Sequence, residues 1–386
     1  MDIQEADIES QVDTSTEGSL SLKQRFLSFI GHARPIPKGQ IASLDVARFI
    51  ASVFIVIRHN NPFYVSSKYL WNMDWAPFMF SIHHILRIGL LFFLLTAGFL
   101  FGNSLNKGNP LIPRTLKAVK RLSWIFFIWA LIYALSPFSY THLFEDFLTL
   151  GQTKHYYWHF VHIAKDPLLL IMTGNKYHLW FLPSLITSLS VIALFLYFKK
   201  EHYLLIFAVV FYFISSLSNQ EPLMSFVDGG IYLKHLRSYT QGFAFVTLGW
   251  WLSTRKTFAI KDALKYFALA ICVQVLQDIG LWHLYQLEPK SFTPIGLLPA
   301  TIGLFILIMC VPNFGKNTVF HKFGQMSLGI YVLHPLIIDI LRLFNRKIMH
   351  LNIVMKDITF PLVTIETCLF LTAILNSSPL TKRLTS

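Results

Sequence analysis

About ten apolar segments, each roughly 16–24 residues long, follow one another along the chain and constrain its fold more than any other feature. A helix needs about 20 residues to cross a hydrocarbon layer ~30 Å thick. Because lipid offers the backbone no hydrogen bonds, segments of this length are stable in it as helices. The sequence therefore predicts an all-α polytopic integral membrane protein with about ten transmembrane helices. The segments are 41–58, 79–102, 122–137, 178–198, 203–218, 236–253, 262–283, 292–312, 326–344 and 358–376.

The composition points to the same class of protein. Of the 386 residues, 54% are hydrophobic and 14% are charged, whereas soluble domains have about 25% charged residues. An ordinary cytosolic enzyme is therefore excluded. Residues 1–40 are polar and lack the apolar core of a signal peptide, so we expect a partly disordered cytoplasmic tail. Residues 41–376 then form one ten-span domain, followed by a short cytoplasmic tail at 377–386.

The distribution of basic residues predicts the orientation in the membrane. With the N-terminus inside, the inner segments carry 18 Lys and Arg residues and the outer segments about nine. Basic residues accumulate on the cytoplasmic side, so we expect both termini in the cytoplasm. Segment 103–121 is the clearest inner loop. The net charge of +13 is explained in this way without nucleic-acid binding. In the outer segment 138–177, residues 155–164 are predicted to form a helix on the membrane surface.

Two patterns bear on the class of function. Cys272, Cys310 and Cys368 lie in apolar runs without the spacing of a metal site or a disulfide, so no bound metal is expected. No internal repeat is visible, which argues against a transporter built from inverted repeats.

The first apolar segment carries charges that hydrocarbon does not tolerate. Asp45 and Arg48 are three residues apart and share a helix face. His59 follows Arg48 by eleven residues, which is about three helical turns and a rise of ~16 Å, so both side chains project from one side. A cation at the inner mouth and a deeper imidazole are thus predicted to line one pocket. The alternative is an arginine that reaches the interface and an interfacial histidine.

The second segment contains His84 and Arg87. Arg87 lies about two turns inside the outer boundary, where an unpaired cation costs several kcal/mol, so it should face protein, water or a ligand. The structural alternative is a buried ion pair with Asp45, Asp278 or Asp339.

Two further polar or small-residue runs each allow two interpretations. The run Thr96-Ala97-Gly98 fits close helix packing, but also a narrow ligand that passes beside the backbone. His178 and Trp180 fit an aromatic belt at the outer interface, but also a contact with a sugar or another polar acceptor.

The ninth segment presents a polar stripe on an apolar helix. Ser327, Tyr331 and His334 stand at positions i, i+4 and i+7, which share one face. Such residues can simply join helices, and Pro335 can simply kink this one. A stripe that ends in His-Pro is also compatible with a binding site.

Taken in order, these motifs resemble the bacterial membrane acyltransferase family 3, multi-span enzymes that O-acetylate envelope glycans such as O-antigen. The resemblance covers residues 41–340 and lies in Arg48-x10-His59, in Arg87 before Phe92-Phe93, in His178-Leu179-Trp180-Phe181-Leu182, and in Ser327-x3-Tyr331-x2-His334. The family usually shows Phe-Phe-x-x-Ser-Gly-Phe/Tyr. Here either Thr96 or Ala97 can take the serine position.

The resemblance implies a reaction across the bacterial cytoplasmic (inner) membrane. The donor would be acetyl-CoA from the cytoplasm and the acceptor a hydroxyl of an extracytoplasmic glycan or glycolipid. A histidine is a suitable general base for a hydroxyl, and a cation can stabilise an oxyanion. The resemblance implies that His59 is the general base and that Arg87 contacts the oxyanion or the acceptor. The residues implied to bind the donor are Arg48, Asp45, Ser327, Tyr331 and His334. Those implied to bind the acceptor are His178, Trp180 and His84.

Two other classes of function remain open at this point. A transporter or flippase of a lipid-linked or acylated solute would use the same intramembrane charges without a base. A structural or sensing membrane protein is the third class. Binding of acetyl-CoA would separate the acyltransferase from both.

Overall fold

A computed structural model describes residues 41–60, 76–139, 161, 165–217, 230–255, 259–285 and 296–385, and within these ranges the chain is helical without a strand. The predicted all-α class is thus confirmed. The N-terminal tail 1–40 and all but one residue of the predicted surface helix 155–164 lie outside the described residues.

Ten of the helices have 14 residues or more, and each coincides with one of the ten predicted segments. Among the described residues, three short α-helices connect or follow them. The helices are α1 (Ala42–Asn60), α2 (Ala76–Asn106), α3 (Leu111–Leu135), α4 (Pro167–Thr173), α5 (Phe181–Tyr197), α6 (His202–Leu217), α7 (Gly230–Ser253), α8 (Ile260–Tyr285), α9 (Leu297–Cys310), α10 (Val319–Gln325), α11 (Ser327–Phe344), α12 (Ile353–Asn376) and α13 (Pro379–Lys382).

Five of these helices have the length and the apolar composition of membrane spans, which identifies a membrane protein. They comprise Ser81–Asn106, Leu111–Leu135, Ile260–Gly280, Ser327–Met349 and Ile353–Asn376. Three shorter apolar helices are Phe181–Tyr197, His202–Ser216 and Leu297–Cys310. The number of ten membrane crossings stays a prediction.

Helix α3 corrects one predicted boundary. The basic segment 103–121 is not a loop, because α2 continues to Asn106 and α3 begins at Leu111. The cations at 114–121 therefore stand on the first turns of α3. Farther along, this helix exposes Trp124, Phe127 and Leu131, and exposed apolar side chains of this size are expected to face lipid.

Helix α2 lies at the centre of the bundle and packs against α1, α7, α8 and α9. Its contact with α7 brings backbone onto backbone. A Cβ on Gly98 would lie 1.9 Å from the carbonyl oxygen of Val246, and one on Gly249 would lie 1.9 Å from that of Leu95. Only glycine permits this approach. Of the run Thr96-Ala97-Gly98, Gly98 thus serves helix packing.

A buried polar pair joins α8 to the same central helix. Nδ1 of His84 donates to Oδ1 of Asp278 at 2.8 Å, and both side chains are fully buried. Gln274 donates to the same carboxylate oxygen at 2.9 Å. Polar groups in a bundle are stabilised by such mutual bonds. His84, a predicted acceptor contact, is therefore bonded to α8.

We expect Gly98→Ala to lower the melting temperature of the detergent-solubilised protein by several degrees. The added Cβ would push α2 away from α7, and such overpacking costs about 1–3 kcal/mol. Gly280→Ala is the matched control, because no described atom lies within 4 Å of its Cβ position. Alanine there should be neutral or stabilising, by about 0.5–1 kcal/mol. A Gly98→Ala protein as stable as the wild type would contradict the close packing.

Candidate active site

A wide cavity opens beside the first turns of α1. Its volume is about 580 Å³. Asp45 and Arg48 stand on its wall, where Nη1 of Arg48 donates to Oδ1 of Asp45 at 3.2 Å. Arg121 of α3 and Lys382 of α13 add two more cations. The lining is therefore suited to a large ligand that carries several negative charges.

The segment predicted as a tail at 377–386 helps to build this mouth. Nε1 of Trp129 donates to the carbonyl oxygen of Leu384 at 2.8 Å, and the Thr385 hydroxyl donates to Asn376 at 3.0 Å. Lys382 and Thr385 both line the cavity. Residues 377–385 thus form part of the cavity wall.

A narrow cavity of about 220 Å³ continues from the wide one, since Arg48, Leu100, Arg121 and Leu328 line both. Arg114 and Lys117 add cations to its wall, and most of the remaining lining is apolar. The two cavities together form a passage that is basic at its mouth and narrower beyond it.

Two hydroxyl groups in the narrow cavity have no hydrogen-bond partner among the described residues. They belong to Thr96 and Ser327, whose oxygens are fully buried. An unbonded buried hydroxyl costs about 1–3 kcal/mol, so such groups are expected to meet a ligand or water. Ala97 lines the same cavity. Thr96 and Ala97 thus line a cavity while Gly98 serves helix packing, and the passage of a ligand beside this backbone stays a prediction.

Three histidines from three elements meet beyond the narrow cavity. We call His59, His178 and His334 the histidine cluster. The rings of His59 and His334 are stacked with centroids 5.2 Å apart, and the rings of His178 and His334 are 5.4 Å apart edge to face. His178 and His334 are buried, and His59 is half-buried.

Tyr331 connects the cluster with the cavity. Its ring lines the narrow cavity and lies 5.3 Å from the ring of His178. Its hydroxyl donates to the backbone carbonyl of His178. Arg48, the narrow cavity, Tyr331 and the histidine cluster thus form one polar row, in which His59 stands three turns along α1 from Arg48.

The orientation of His334 follows from its hydrogen bonds. Its Nδ1 lies 2.7 Å from the carbonyl oxygen of Tyr331 and 3.2 Å from that of Ile330. Carbonyl oxygens only accept, so Nδ1 carries the hydrogen and Nε2 offers a lone pair. This Nε2 is buried and has no partner among the described residues. A histidine held in this way presents a fixed proton acceptor.

The three acids that the sequence offered as partners of Arg87 each bind another residue. Asp278 binds His84, Asp45 binds Arg48, and Asp339 binds Lys176. Arg87 stands one turn before Leu90, which lines the narrow cavity, and it interacts electrostatically with His84 and Tyr212. Its predicted role at an oxyanion stays a prediction.

The predicted acceptor contacts of the loop 174–180 are covered by neighbouring helices. His178 is only 4% exposed, and Trp180 is half-buried and packs against the core. Tyr177, which the sequence analysis did not select, is 48% exposed and lies 4.8 Å from the ring of His59. Its position directly before the selected His178 was the only signal in the sequence.

Within the described part of the chain, no group of three or more His, Cys, Asp or Glu side chains is arranged to hold a metal ion. Cys272, Cys310 and Cys368 are free thiols. The polar row therefore presents imidazoles, hydroxyls and cations. These groups can move a proton and bind an anion.

Comparison with known proteins agrees with this chemistry. The family described as an acyltransferase domain, acyltransferase family 3, matches residues 41–379. A serine/alanine racemase of Enterococcus gallinarum is 26% identical over 349 residues, which are 85% of this chain and 45% of that protein. The chain thus spans less than half the length of this curated relative. No solved structure is a significant match. Since the family match covers most of the chain, the protein belongs to acyltransferase family 3.

Proposed function

We propose that the protein is an O-acetyltransferase that moves an acetyl group from cytoplasmic acetyl-CoA to a hydroxyl of an extracytoplasmic glycan or glycolipid. The observation that supports it best is the polar row, basic at one end and lined by three histidines at the other. A donor with a negatively charged head would bind at the basic end of this row, and the reactive group at its other end would reach the histidines.

The donor head is assigned to the wide cavity. Coenzyme A carries phosphates at one end, and Arg48, Arg121 and Lys382 offer positive charge there. Its pantetheine arm contains amide groups, and the free hydroxyls of Thr96 and Ser327 are suitable partners in the narrow cavity. The rise of ~16 Å between Arg48 and His59 is about the length of this arm. The thioester would then lie at the histidine cluster.

The chemistry is assigned to His59. Its imidazole takes the proton from the acceptor hydroxyl, the oxygen attacks the thioester carbon, and the carbon–sulfur bond breaks. The coenzyme A thiolate leaves and finally receives the proton. The ring of His334, which is held by the carbonyl of Tyr331, stacks on the ring of His59. It therefore limits the orientations that the His59 ring can adopt. Arg87 is kept as the candidate partner of the oxyanion.

The membrane is assigned as the bacterial cytoplasmic membrane, with both termini inside. Acetyl-CoA is charged and does not cross lipid, so the basic mouth must open to the cytoplasm. The histidine cluster then faces the outer side, where the acceptor is. The acyl group would pass through the protein while coenzyme A stays inside.

We expect His59→Ala to reduce acetyl transfer by about 10²–10⁴-fold, because a general base contributes that much. The protein should still insert into the membrane, since the hydropathy of α1 hardly changes. Release of free coenzyme A thiol from purified protein measures the rate. His202→Ala, an exposed histidine on α6, is the control. A His59→Ala protein with more than about a tenth of wild-type activity would contradict the base.

Arg48→Ala should raise the KM for acetyl-CoA and leave kcat nearly unchanged, because a phosphate contact is the same in the ground state and the transition state. Titration with acetyl-CoA at a saturating acceptor concentration measures both constants. Lys107→Ala removes an exposed cation that is absent from both cavity walls. It should behave as wild type. A defect of Arg48→Ala that appears only in kcat would place Arg48 elsewhere in the mechanism.

The orientation is tested with single cysteines in a variant that lacks the three native ones. Lys107→Cys should react with an impermeant maleimide only after the membrane is opened, whereas Lys347→Cys should react in intact cells. Both positions are exposed. They lie at the Arg48 end and the His59 end of the bundle, since Asn103 lines the wide cavity and Arg342 binds the His59 carbonyl. The reverse pattern would overturn the orientation.

A further inference from the structure

The loop 174–180 exposes one aromatic ring directly before two buried residues. Tyr177 is 48% exposed, while His178 and Leu179 beside it are 4% and 0% exposed. The ring of Tyr177 lies 4.8 Å from that of His59. An exposed ring thus stands directly beside the candidate base, at the end of the polar row that is farthest from the basic mouth.

The backbone around Tyr177 is fixed from both sides. Asn175 donates to the carbonyl oxygen of Ala130 at 2.9 Å, and Tyr331 donates to the carbonyl oxygen of His178. Gly174 has a φ of +70°, and a Cβ there would lie 2.7 Å from the side chain of Leu179, so the turn requires glycine. The backbone that carries the ring is therefore held in place before any ligand arrives, which lowers the entropy cost of binding.

Charged groups surround this ring. Lys176 forms an ion pair with Asp339, and its ammonium lies 5.8 Å from the ring centroid of Tyr177. Arg342 donates to the carbonyl oxygen of His59 at 3.1 Å. Both Asp339 and Arg342 interact electrostatically with Tyr177. An apolar ring face framed by donors and acceptors is a surface for a ligand that is apolar on one face and hydroxylated around its edge.

We propose that Tyr177 is the stacking surface for the sugar ring of the acceptor and thereby determines the preference for cyclic acceptors. This inference rests on the proposed function. The C–H bonds on one face of a pyranose are polarised by the ring and hydroxyl oxygens, so they are attracted to the negative face of an aromatic ring. The ammonium of Lys176, 5.8 Å from the ring centroid, then lies where hydroxyls at the edge of the sugar can approach it, and His59 lies beside the ring.

A role in sugar stacking explains the position of Tyr177 better than a role in the aromatic belt does. A belt residue needs only to lie at the membrane interface. It does not need a loop fixed by hydrogen bonds on both sides, or contact with the imidazole at the end of the polar row. Tyrosine also supplies contact area with little loss of side-chain freedom, which suits a binding surface.

The test compares cyclic and open-chain acceptors. Purified protein receives acetyl-CoA and either methyl pyranosides of glucose, galactose and mannose or the corresponding hexitols, and the release of coenzyme A thiol is measured. The variants are Tyr177→Ala and Tyr177→Phe. Tyr203→Ala is the matched control, because Tyr203 is 44% exposed and its ring also lies beside a histidine, His202.

We expect the wild type to prefer pyranosides over hexitols and Tyr177→Ala to lose about tenfold in kcat/KM for the pyranosides, equivalent to ~1.4 kcal/mol. This is the order of an aromatic contact. Activity with hexitols and the KM for acetyl-CoA should change less than twofold. Tyr177→Phe keeps the ring and should keep the preference, as should Tyr203→Ala.

Three results would overturn the inference. An unchanged preference in Tyr177→Ala would show that the ring does not bind the sugar. An equal loss with pyranosides, hexitols and water as acceptors would show that Tyr177 only positions His59. An equal loss in Tyr177→Phe would assign the effect to the hydroxyl. A wild type that transfers acetyl to no acceptor and releases no thiol would instead remove the proposed function, and the inference with it.

Discussion

Charged and polar side chains cannot face hydrocarbon, and this constraint governs the arrangement of the helices. Arg48 and His59 project from the same side of α1, so that side must meet protein or water. The polar side of α11, with Tyr331 and His334, is placed against it. Helix α2 completes the enclosure, because Gly98 allows its backbone to touch α7. The polar row therefore forms because these helices turn their charged and polar sides away from lipid and toward one another.

The fold and part of the site are predictable because helices have fixed geometry. Each of the ten apolar segments coincides with a helix. The spacing between Arg48 and His59 determines their common side wherever the helix goes. The same reasoning applies to Ser327, Tyr331 and His334, which lie on one side of α11 and are all buried. Periodicity thus reveals which residues share a surface within one helix.

The spacing of residues along one helix does not predict which residues of two different helices contact each other. The sequence offered three acids as partners of Arg87, but nothing in it could show that Asp278 would bind His84 instead. The basic residues at 114–121 were assigned to a loop because they lower the local hydropathy. A run of basic residues does not, however, end a helix, and here they lie in α3. Tyr177 was missed for a related reason. Its loop has no repeat from which burial could be inferred, and its exposure depends on bonds made by Asn175 and His178.

The sizes of the two cavities fit a donor that has a bulky charged head and a thin arm. The wide cavity, about 580 Å³, has room for a bulky charged head, whereas the narrow one, about 220 Å³, admits only an arm. A bulky head would therefore be stopped at the basic mouth, and its reactive end would be the part that reaches the histidine cluster. The exposed ring of Tyr177 lies on the far side of that cluster. In the proposed reaction only the acyl carbon must arrive where the acceptor hydroxyl can meet it. No helix then has to move far enough to expose the charged row to lipid.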